Sequence, residues 1–474
     1  MIKFLRWPAI TLALATGLSA IEVVNNEKGK LDVGGSFQLL GNVQGLNDPY
    51  KDDVRSYMFL KTARLTTGGE YEGVKFRVEL ALGGEEQIKG DYSGSVLNAS
   101  MSLLDAYADA PLLFGSRFRF GQMLVPFGRE RLVYERDSQF VGRSINNLAT
   151  TLGRDVGGAL YGNLGVFAYA LGLYAGGGRD VPERYIPAKL GTPMLVAKVG
   201  INNGADDDIL TVNQGGVSTD KLTYGVYLSG MYQKDSLVGH STVDQVRMTE
   251  YSLIMSPTWN PYLSQKGGGV YGQGDLMQFA IDAIVRVPVS GMTVATELEA
   301  NVANFSNEFG TMTVPGGRAQ MSLLVDQFEV AARYSMIALG NAGFGYNGSY
   351  SATTGSYTAG TSNATIYRFL SDDRRQGSNS GNLLMNQIQE IGMTVSYYFK
   401  NRVKAMVELS LSDVPVVSEN NSADTTRVGA YSLLQQPEQS KLIAANGTVS
   451  GVNVGSEVTR QLVKDLRIML QYRF

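Results

Sequence analysis

Stretches in which apolar and polar residues alternate recur along most of this 474-residue chain. In VKFRVELAL, residues 74–82, every even-numbered residue is apolar, whereas Lys75, Arg77 and Glu79 are charged. A period of two is that of a β-strand with one apolar and one polar face. No internal apolar run reaches the roughly 20 residues that a membrane-spanning helix needs. The chain is therefore predicted to be all-β.

The connections between these stretches are alternately short and long. Sixteen strands are predicted, at residues 31–44, 57–68, 73–82, 101–110, 115–125, 155–163, 166–175, 193–201, 221–233, 275–287, 291–304, 317–325, 327–338, 388–399, 401–411 and 463–474. Tight turns fall at 71–72, 163–165, 289–290, 326 and 400–401, and long loops at 45–56, 83–100, 126–154, 176–192, 234–274, 305–316, 339–387 and 412–462. Short periplasmic turns and long outer loops are typical of outer-membrane barrels. The pattern predicts a transmembrane antiparallel β-barrel of 16 strands, with residues 202–220 as an unexplained long turn.

The first 20 residues predict export. Lys3 and Arg6 precede a short apolar core, Ile10–Leu18, and Ala20 is the predicted cleavage position of a signal peptide, residues 1–20. The barrel is then residues 21–474. Losing Lys3 and Arg6 leaves 39 basic against 44 acidic residues, so no overall basic field for nucleic acid exists. The absence of cysteine excludes disulfides.

The chain ends on an alternating stretch, LRIMLQYRF, which predicts the last strand. Leu466, Ile468, Leu470, Tyr472 and Phe474 share its apolar face. An aromatic end on the lipid side suits the interfacial girdle of an outer-membrane barrel. Phe474 also resembles the C-terminal signal that the barrel-assembly machinery recognises. These features predict a location in the outer membrane, with its lipid as a partner.

Several stretches resemble one family, the phosphate-selective porins O and P. FRFGQMLVPFGRERL, residues 118–132, is similar to the family's G-Q-x-x-x-P-F-G-x-E-R pattern, and LLDAYADAP, residues 103–111, to the strand that precedes it. Residues 157–178, 391–410 and 466–474 resemble other family hairpins and the closing strand. The resemblance implies a sixteen-stranded homotrimer, an inward-folded third outer loop, and lumenal arginines and lysines that conduct anions.

The third outer loop, about 126–154, carries a local positive charge. It contains five arginines, three acids and no lysine. Arginine stays charged and binds phosphate-like groups through its planar fork, and arginine rings are one basis of anion pores. The candidate pore residues are Arg117, Arg119, Arg129, Arg131, Arg136, Arg143 and Arg154. The alternative is that the loop arginines form a structural network with Glu130, Glu135 and Asp137.

The two wall arginines are predicted to face the lumen. Phe118 and Phe120 alternate with Arg117 and Arg119 in the same strand. A charge on the lipid face near the membrane midplane costs roughly 2–4 kcal/mol, so the phenylalanines are expected outside and the arginines inside.

Few residues of the sequence indicate catalysis or metal binding. The single histidine, His240, lies in a Gly-Ser context, which favours a surface position over a catalytic one. Asp206-Asp207-Asp208 offers oxygen atoms for calcium, but a solvated turn is the preferred interpretation. No Cys/His cluster suggests zinc. The sequence therefore predicts no catalytic residue, no metal and no cofactor.

The predicted function is an outer-membrane porin for the passive diffusion of small hydrophilic solutes, with a bias towards small inorganic or organic anions such as phosphate. One alternative is a porin for small neutral solutes such as short amides. Two further alternatives are an adhesin that presents loops 234–274, 339–387 and 412–462, and a barrel enzyme. The lone His240 argues against the enzyme.

Overall fold

The computed structural model of the protein describes residues 21–46, 53–84, 102–150, 153–176, 193–236, 274–307, 310–338, 343–346, 348–351, 356–359, 365–368, 387–399, 402–417, 428–429 and 458–474. The predicted signal peptide, His240 and most of loops 234–274 and 412–462 lie outside these ranges. Within them, no helix has the length and hydropathy of a membrane-spanning helix.

Sixteen strands form the wall of a barrel, and we number them β1 to β16. They are Gly29–Leu46, Asp53–Tyr71, Val74–Gly84, Ser102–Pro111, Arg117–Leu124, Arg154–Leu164, Phe167–Tyr174, Met194–Asn202, Thr223–Ser236, Gly274–Val289, Met292–Asn307, Gly310–Val325, Phe328–Ala338, Gln387–Phe399, Val403–Val417 and Val458–Arg473. Each predicted strand overlaps one observed strand. The prediction of an antiparallel sixteen-stranded barrel is therefore confirmed.

The barrel closes between its first and last strands. Every strand pairs antiparallel with its neighbour in sequence, and β16 pairs back to β1 from Arg473 opposite Ser36 to Val463 opposite Leu46. A further strand, Ile21–Asn26, pairs with β1 beyond the point where β16 ends. Closure leaves no open sheet edge in the wall, which a barrel in lipid requires.

The two faces of the wall differ as the alternation predicts. On β16, Ile468 and Leu470 are exposed on the outer face, whereas Asp465, Arg467 and Gln471 are buried on the inner face. Inner-face polar groups pair with one another across strands; Gln38 Nε2, for example, donates to Gln471 Oε1 over 2.7 Å. The lumen is thus polar and the outer wall apolar.

Tight turns join strands at one end of the barrel. Glu72, Ser290 and Asp326 adopt positive φ values of 49°, 49° and 51°. Such values suit two-residue hairpin turns, whose twist matches that of the strands. In outer-membrane barrels the short turns are periplasmic, so we call this the periplasmic end.

The predicted long loop 305–316 is wrong. β11 continues to Asn307, which pairs with Gly310 at the start of β12, so the two strands form a tight hairpin. The Pro315-Gly316-Gly317 sequence suggested a loop. Pro315 is tolerated in a strand here because the pairing of β12 with β13 reaches only to Gly316.

Part of loop 339–387 extends the wall outward. Gly343–Tyr346 pairs with Thr365–Arg368 and also with the start of β12, and Gly348–Ser351 pairs with Ser356–Ala359. The sequence of this loop is rich in Gly, Ser, Thr and Tyr and has too few aliphatic residues to fold alone. Pairing with the end of an existing strand supplies the missing support.

The last residue continues the outer face of β16. The backbone N–H groups of Phe474 and Gly35 each donate to the carbonyl oxygen of the other over 3.0 Å. The rings of Tyr472 and Phe474 stack at 6.2 Å, and a Cβ atom on Gly35 would lie only 2.6 Å from the Phe474 ring. Phe474 therefore shares the outward face with Tyr472, as predicted, and its ring lies over Gly35.

Candidate functional site

A loop inside the barrel joins β5 to β6. We call residues 126–153 the lumen loop. At its neck, the Val125 amide donates to the Gly153 carbonyl over 3.1 Å. It contains two 3₁₀ turns, Glu130–Leu132 and Glu135–Asp137, and helix α1, Ile145–Thr150. Phe127, Leu132, Phe140 and Ile145 are among its buried side chains, so the loop is packed.

The acids of the loop bind basic residues of the barrel wall. Glu130 lies 3.3 Å from Arg318 of β12 and 3.4 Å from Arg333 of β13, and it accepts a bond from the Ser144 amide over 2.8 Å. Asp137 lies 3.3 Å from Arg473 at the end of β16. The loop therefore crosses the lumen and is attached at several points.

Glu135 attaches the loop to β2. It pairs with Lys61, and its second oxygen accepts a bond from Arg64 over 2.6 Å. Burial alone would raise the pKa of Glu135, but Lys61 and Arg64 outweigh burial and hold that pKa well below its usual range. This contact keeps its charge at any physiological pH.

Arg129 is fully buried. Its two terminal nitrogens donate to the two carboxylate oxygens of Asp206 over 2.7 and 2.8 Å, and one also donates to the Asn213 carbonyl over 2.8 Å. This is a bidentate fork, the strongest form of such a pair. Arg129 is held by a different acid from the three of its own loop that the sequence offered as partners.

The remaining loop arginines differ in their surroundings. Arg143 donates to the carbonyls of Glu130 and Val133, and burial together with the charge of Arg131 lowers its pKa to about 10. Arg131 is half-buried beside it. Arg136 lies 3.4 Å from Asp137 with 28% of its side chain exposed. Arg154 is buried on β6 and donates to Asp105 over 2.8 Å.

Arg117 and Arg119 lie on the inner face of β5, while Phe118 and Phe120 are exposed on the outer face. Both arginines bind Asp109 of β4, Arg117 through Nε over 2.7 Å and Arg119 over 2.9 Å. Arg119 also lies over the Tyr107 and Tyr161 rings at 4.5 and 5.2 Å. These contacts fix both guanidinium groups against the wall.

Sequence reasoning missed Arg77 of β3. Its guanidinium group lies over the Tyr134 ring of the lumen loop at 4.6 Å, and Arg136 lies over the same ring at 5.0 Å. The Tyr134 ring thus contacts one cation from the wall and one from its own loop. The alternation of residues 74–82 placed Arg77 on the polar face, but nothing local indicated that the loop would reach it.

The Gly121-Gln122 pair has a structural role at the start of this site. Gln122 Nε2 donates to the carbonyls of Leu103 and Leu104 over 2.6 and 2.9 Å, where β4 makes a bulge. A Cβ atom on Gly121 would lie 2.2 Å from the Ala106 carbonyl oxygen. This pair therefore fixes β4 where β5 turns into the lumen loop.

A second segment folds into the lumen from the periplasmic end. We call residues 203–222, between β8 and β9, the inner turn. Asp206, Ile209 and Val212 in it are buried. The long turn predicted at 202–220 is thus explained, but a solvated turn is wrong for Asp206. Asp207 is exposed, and no acid or histidine cluster suited to a metal occurs among the described residues.

A cavity of about 850 Å³ lies at the periplasmic end of the described barrel. It is bounded by the first turns and strands, by the Arg136-Asp137 tip of the lumen loop, and by the chain end. Seven basic and six acidic residues line it: Lys28, Lys30, Lys75, Arg77, Arg119, Arg136 and Arg473, and Glu27, Asp32, Glu70, Glu72, Asp109 and Asp137. The lumen loop and the inner turn fill the opposite side of the barrel.

Comparison with known proteins gave one family match and several similar solved structures. Residues 33–233 match the sequence model of the family phosphate-selective porin O and P. No curated protein matches the chain.

Solved structures similar to it include outer-membrane expressed OmpT of Vibrio cholerae (10% identity, 96% of this chain and 100% of that one, TM-score 0.48). DcaP of Acinetobacter baumannii has 11% identity, the same two coverages and a TM-score of 0.48. An anion-selective porin from Comamonas acidovorans has 12% identity, 94% and 100% coverage and a TM-score of 0.48. The predicted resemblance is confirmed over residues 33–233, which match the phosphate-selective porin O and P family, and the barrel is that of an outer-membrane porin.

Proposed function

We propose that this porin passes small inorganic or organic anions, such as phosphate, in preference to cations. The observation that carries the proposal is an asymmetry within ion pairs. Arg77 has 17% of its side chain exposed and its partners Glu79 and Asp105 have 1% each. Arg117 has 23% exposed, and its partner Asp109 has 1%. At these pairs a solute therefore meets more guanidinium than carboxylate surface, although acidic residues such as Glu70 and Asp137 line other parts of the cavity.

The opposite wall offers no such surface. Arg318 and Arg333 pair with Glu130, Glu297, Glu299 and Glu390 beneath the lumen loop, and none of these side chains is more than 3% exposed. Fixed charges act most strongly on a solute where walls are close and salt screens least. The partly exposed arginines of β3 and β5 and Arg136 at the loop tip are therefore placed to act on a solute at this side of the lumen.

These positions divide the candidate arginines. Arg77, Arg119 and Arg136 line the cavity, and Arg117 is partly exposed near Arg119 on β5; we assign anion contact to these four. Arg129, Arg143 and Arg154 hold the loop and the wall in place. Arg131 stands beside Arg143, and its charge adds to the positive potential of the loop. The family resemblance supports assembly as a homotrimer.

The reversal potential of single channels tests the proposal. With a gradient of potassium chloride across a planar bilayer, we expect the sign that marks chloride as the more permeant ion. Replacing chloride by phosphate should keep that sign. A reversal potential at zero would favour the alternative, a porin for neutral solutes such as short amides. A reversal potential of the sign expected when potassium is the more permeant ion would contradict the anion preference.

We also propose that the barrel-assembly machinery recognises Phe474. Deleting Phe474 should reduce the amount of assembled barrel, because the outward aromatic end and its two bonds to Gly35 are lost together. Gly35→Leu should have a similar effect, since its side chain would displace the ring. Phe328→Ala, which removes an exposed aromatic residue far from the chain end, is the control. Heat-modifiable mobility on gels measures assembly, and normal amounts of the deletion variant would contradict the proposal.

A further inference from the structure

The inner turn contacts the lumen loop along its length. The Gly215 amide donates to the Asp137 carbonyl over 2.8 Å, and the Gln139 amide donates to Gln214 Oε1 over 3.0 Å. Val212 packs against Leu132 and Val133 in one buried cluster. Two connections from opposite ends of the barrel therefore meet in the lumen.

The inner turn is itself fixed to the wall. Ile209 and Leu210 pack with Tyr161, Ala168, Ala170 and Tyr227 of β6, β7 and β9. Arg286 of β10 donates to the Asn213 carbonyl over 2.6 Å, and the Gly216 amide donates to Glu329 of β13 over 3.1 Å. A segment attached this way can resist displacement of the loop above it.

Asp206 is the point at which the wall, the inner turn and the loop are joined. Besides the fork of Arg129, it accepts bonds from the Tyr227 hydroxyl over 3.1 Å and the Asn213 amide over 3.2 Å. Arg129, in turn, binds both Asp206 and the Asn213 carbonyl, so it closes the inner turn as well. Every one of these atoms is withdrawn from the cavity.

We propose that the inner turn is a strut that sets the position of the lumen loop, with Asp206 as its positioning residue acting through Arg129. The proposal goes beyond ion preference and rests on the proposed function only in taking the lumen to be the conducting path. The sequence offered Arg129 as a filter residue and Asp206 as part of a solvated turn. The pair explains both the length of this periplasmic turn and the acid in it.

The substitution Asp206→Asn tests the strut at nearly constant volume. An amide has one acceptor oxygen, so one N–H of Arg129 would face an N–H group instead of an oxygen atom. Without Asp206, the buried charge of Arg129 has lost its ionic partner, which favours loop positions in which Arg129 reaches water. We therefore expect the fraction of time that the loop is displaced to rise about tenfold or more. The readout is excess open-channel current noise and closure at lower voltage in planar bilayers. Asp207→Asn is the matched control, because it removes the same charge at the next residue, whose side chain is exposed.

A rescue separates positioning from direct electrostatics. The chain has no cysteine. The backbone N–H of Asn146 donates to the Ser335 hydroxyl of β13 over 3.1 Å, so the two residues are neighbours. Adding Asn146→Cys and Ser335→Cys to Asp206→Asn should hold the loop from the other wall and quiet the channel under oxidising conditions only. If Asp206 acts through its charge on permeating ions, the disulfide will leave the noise unchanged.

Three results would overturn the strut. They are an Asp206→Asn channel with the current noise of the unaltered protein, an Asp207→Asn channel with as much excess current noise as Asp206→Asn, and excess noise that the disulfide does not reduce. If Asp206→Asn does not reach the heat-modifiable folded form, Val212→Ala tests the same contact through its apolar part and should raise the noise less. The reversal potential of the unaltered protein decides the anion preference separately, so failure of one proposal does not imply failure of the other.

Discussion

Replacing Arg77, Arg117 and Arg136 by glutamine should convert an anion-preferring channel into one that prefers cations. These three side chains expose 17%, 23% and 28% of their surface. Each acid that loses its ion pair with one of these three residues remains paired with another arginine. The remaining pairs are Glu79 with Arg64, Asp105 with Arg154, Asp109 with Arg119 and Asp137 with Arg473. The barrel should therefore fold while three positive charges leave the open path.

The size of this effect follows from Coulomb's law. A unit charge acts on an ion 4 Å away with about 1 kcal/mol in water and more where the surroundings are less polar. Three charges, partly screened by salt, should change the anion-to-cation permeability ratio by about tenfold or more. Reversal potentials in a potassium chloride gradient measure that ratio.

A charge-conserving variant is the matched control. Arg77→Lys, Arg117→Lys and Arg136→Lys together keep the three charges but lose the planar fork. They should preserve the anion preference for chloride. A glutamine variant that keeps the original reversal potential would remove these residues from the selectivity mechanism and point to Arg119, Lys28, Lys30 or Lys75 instead.

The barrel was predictable because its rules are local. One residue of register decides whether a side chain faces lipid or lumen, so alternation alone assigned Phe118, Arg119 and Phe120 to their faces. Turn positions were accessible for the same reason, since Glu72, Ser290 and Asp326 stand between two alternating runs. The exception, loop 305–316, arose where Pro315 and two glycines imitate a loop inside a strand.

The pairing inside the lumen was not predictable in this way. Arg129 and Asp206 are 77 residues apart, and Glu130 reaches Arg333 across 203 residues. The sequence shows five arginines and three acids in one loop, and Arg136 does pair with its neighbour Asp137, but the partner of Arg129 in space is Asp206 and not the adjacent Glu130. Loop charges and wall charges pair because both are removed from water together, which no one-dimensional pattern records.

Removing the lumen loop should have the largest effect on conductance. The Val125 amide and the Gly153 carbonyl are 3.1 Å apart, so a short turn can replace residues 127–151 without moving β5 or β6. The basic and acidic wall residues that the loop covers also pair with one another, as Arg333 does with Glu390 over 2.6 Å, so the wall keeps most of its internal bonds.

The shortened protein should conduct several times more current per channel. The loop crosses the lumen from β2 to β13, so its removal adds the space that it occupies. The anion preference should weaken as well, because Arg136 is lost and the path widens beyond the reach of the wall charges. Single-channel conductance and reversal potential measure the two effects, and gel mobility confirms folding.

The inner turn supplies the discriminating control for this excision. If conductance stays unchanged when the lumen loop is removed, the narrowest part of the path lies elsewhere, and the inner turn is then the only other segment that the structure describes inside the wall. Shortening the inner turn around residues 207–212 would in that case raise conductance on its own. If the lumen loop is the constriction and the inner turn its support, that second deletion should instead leave mean conductance near its original value and increase its fluctuations.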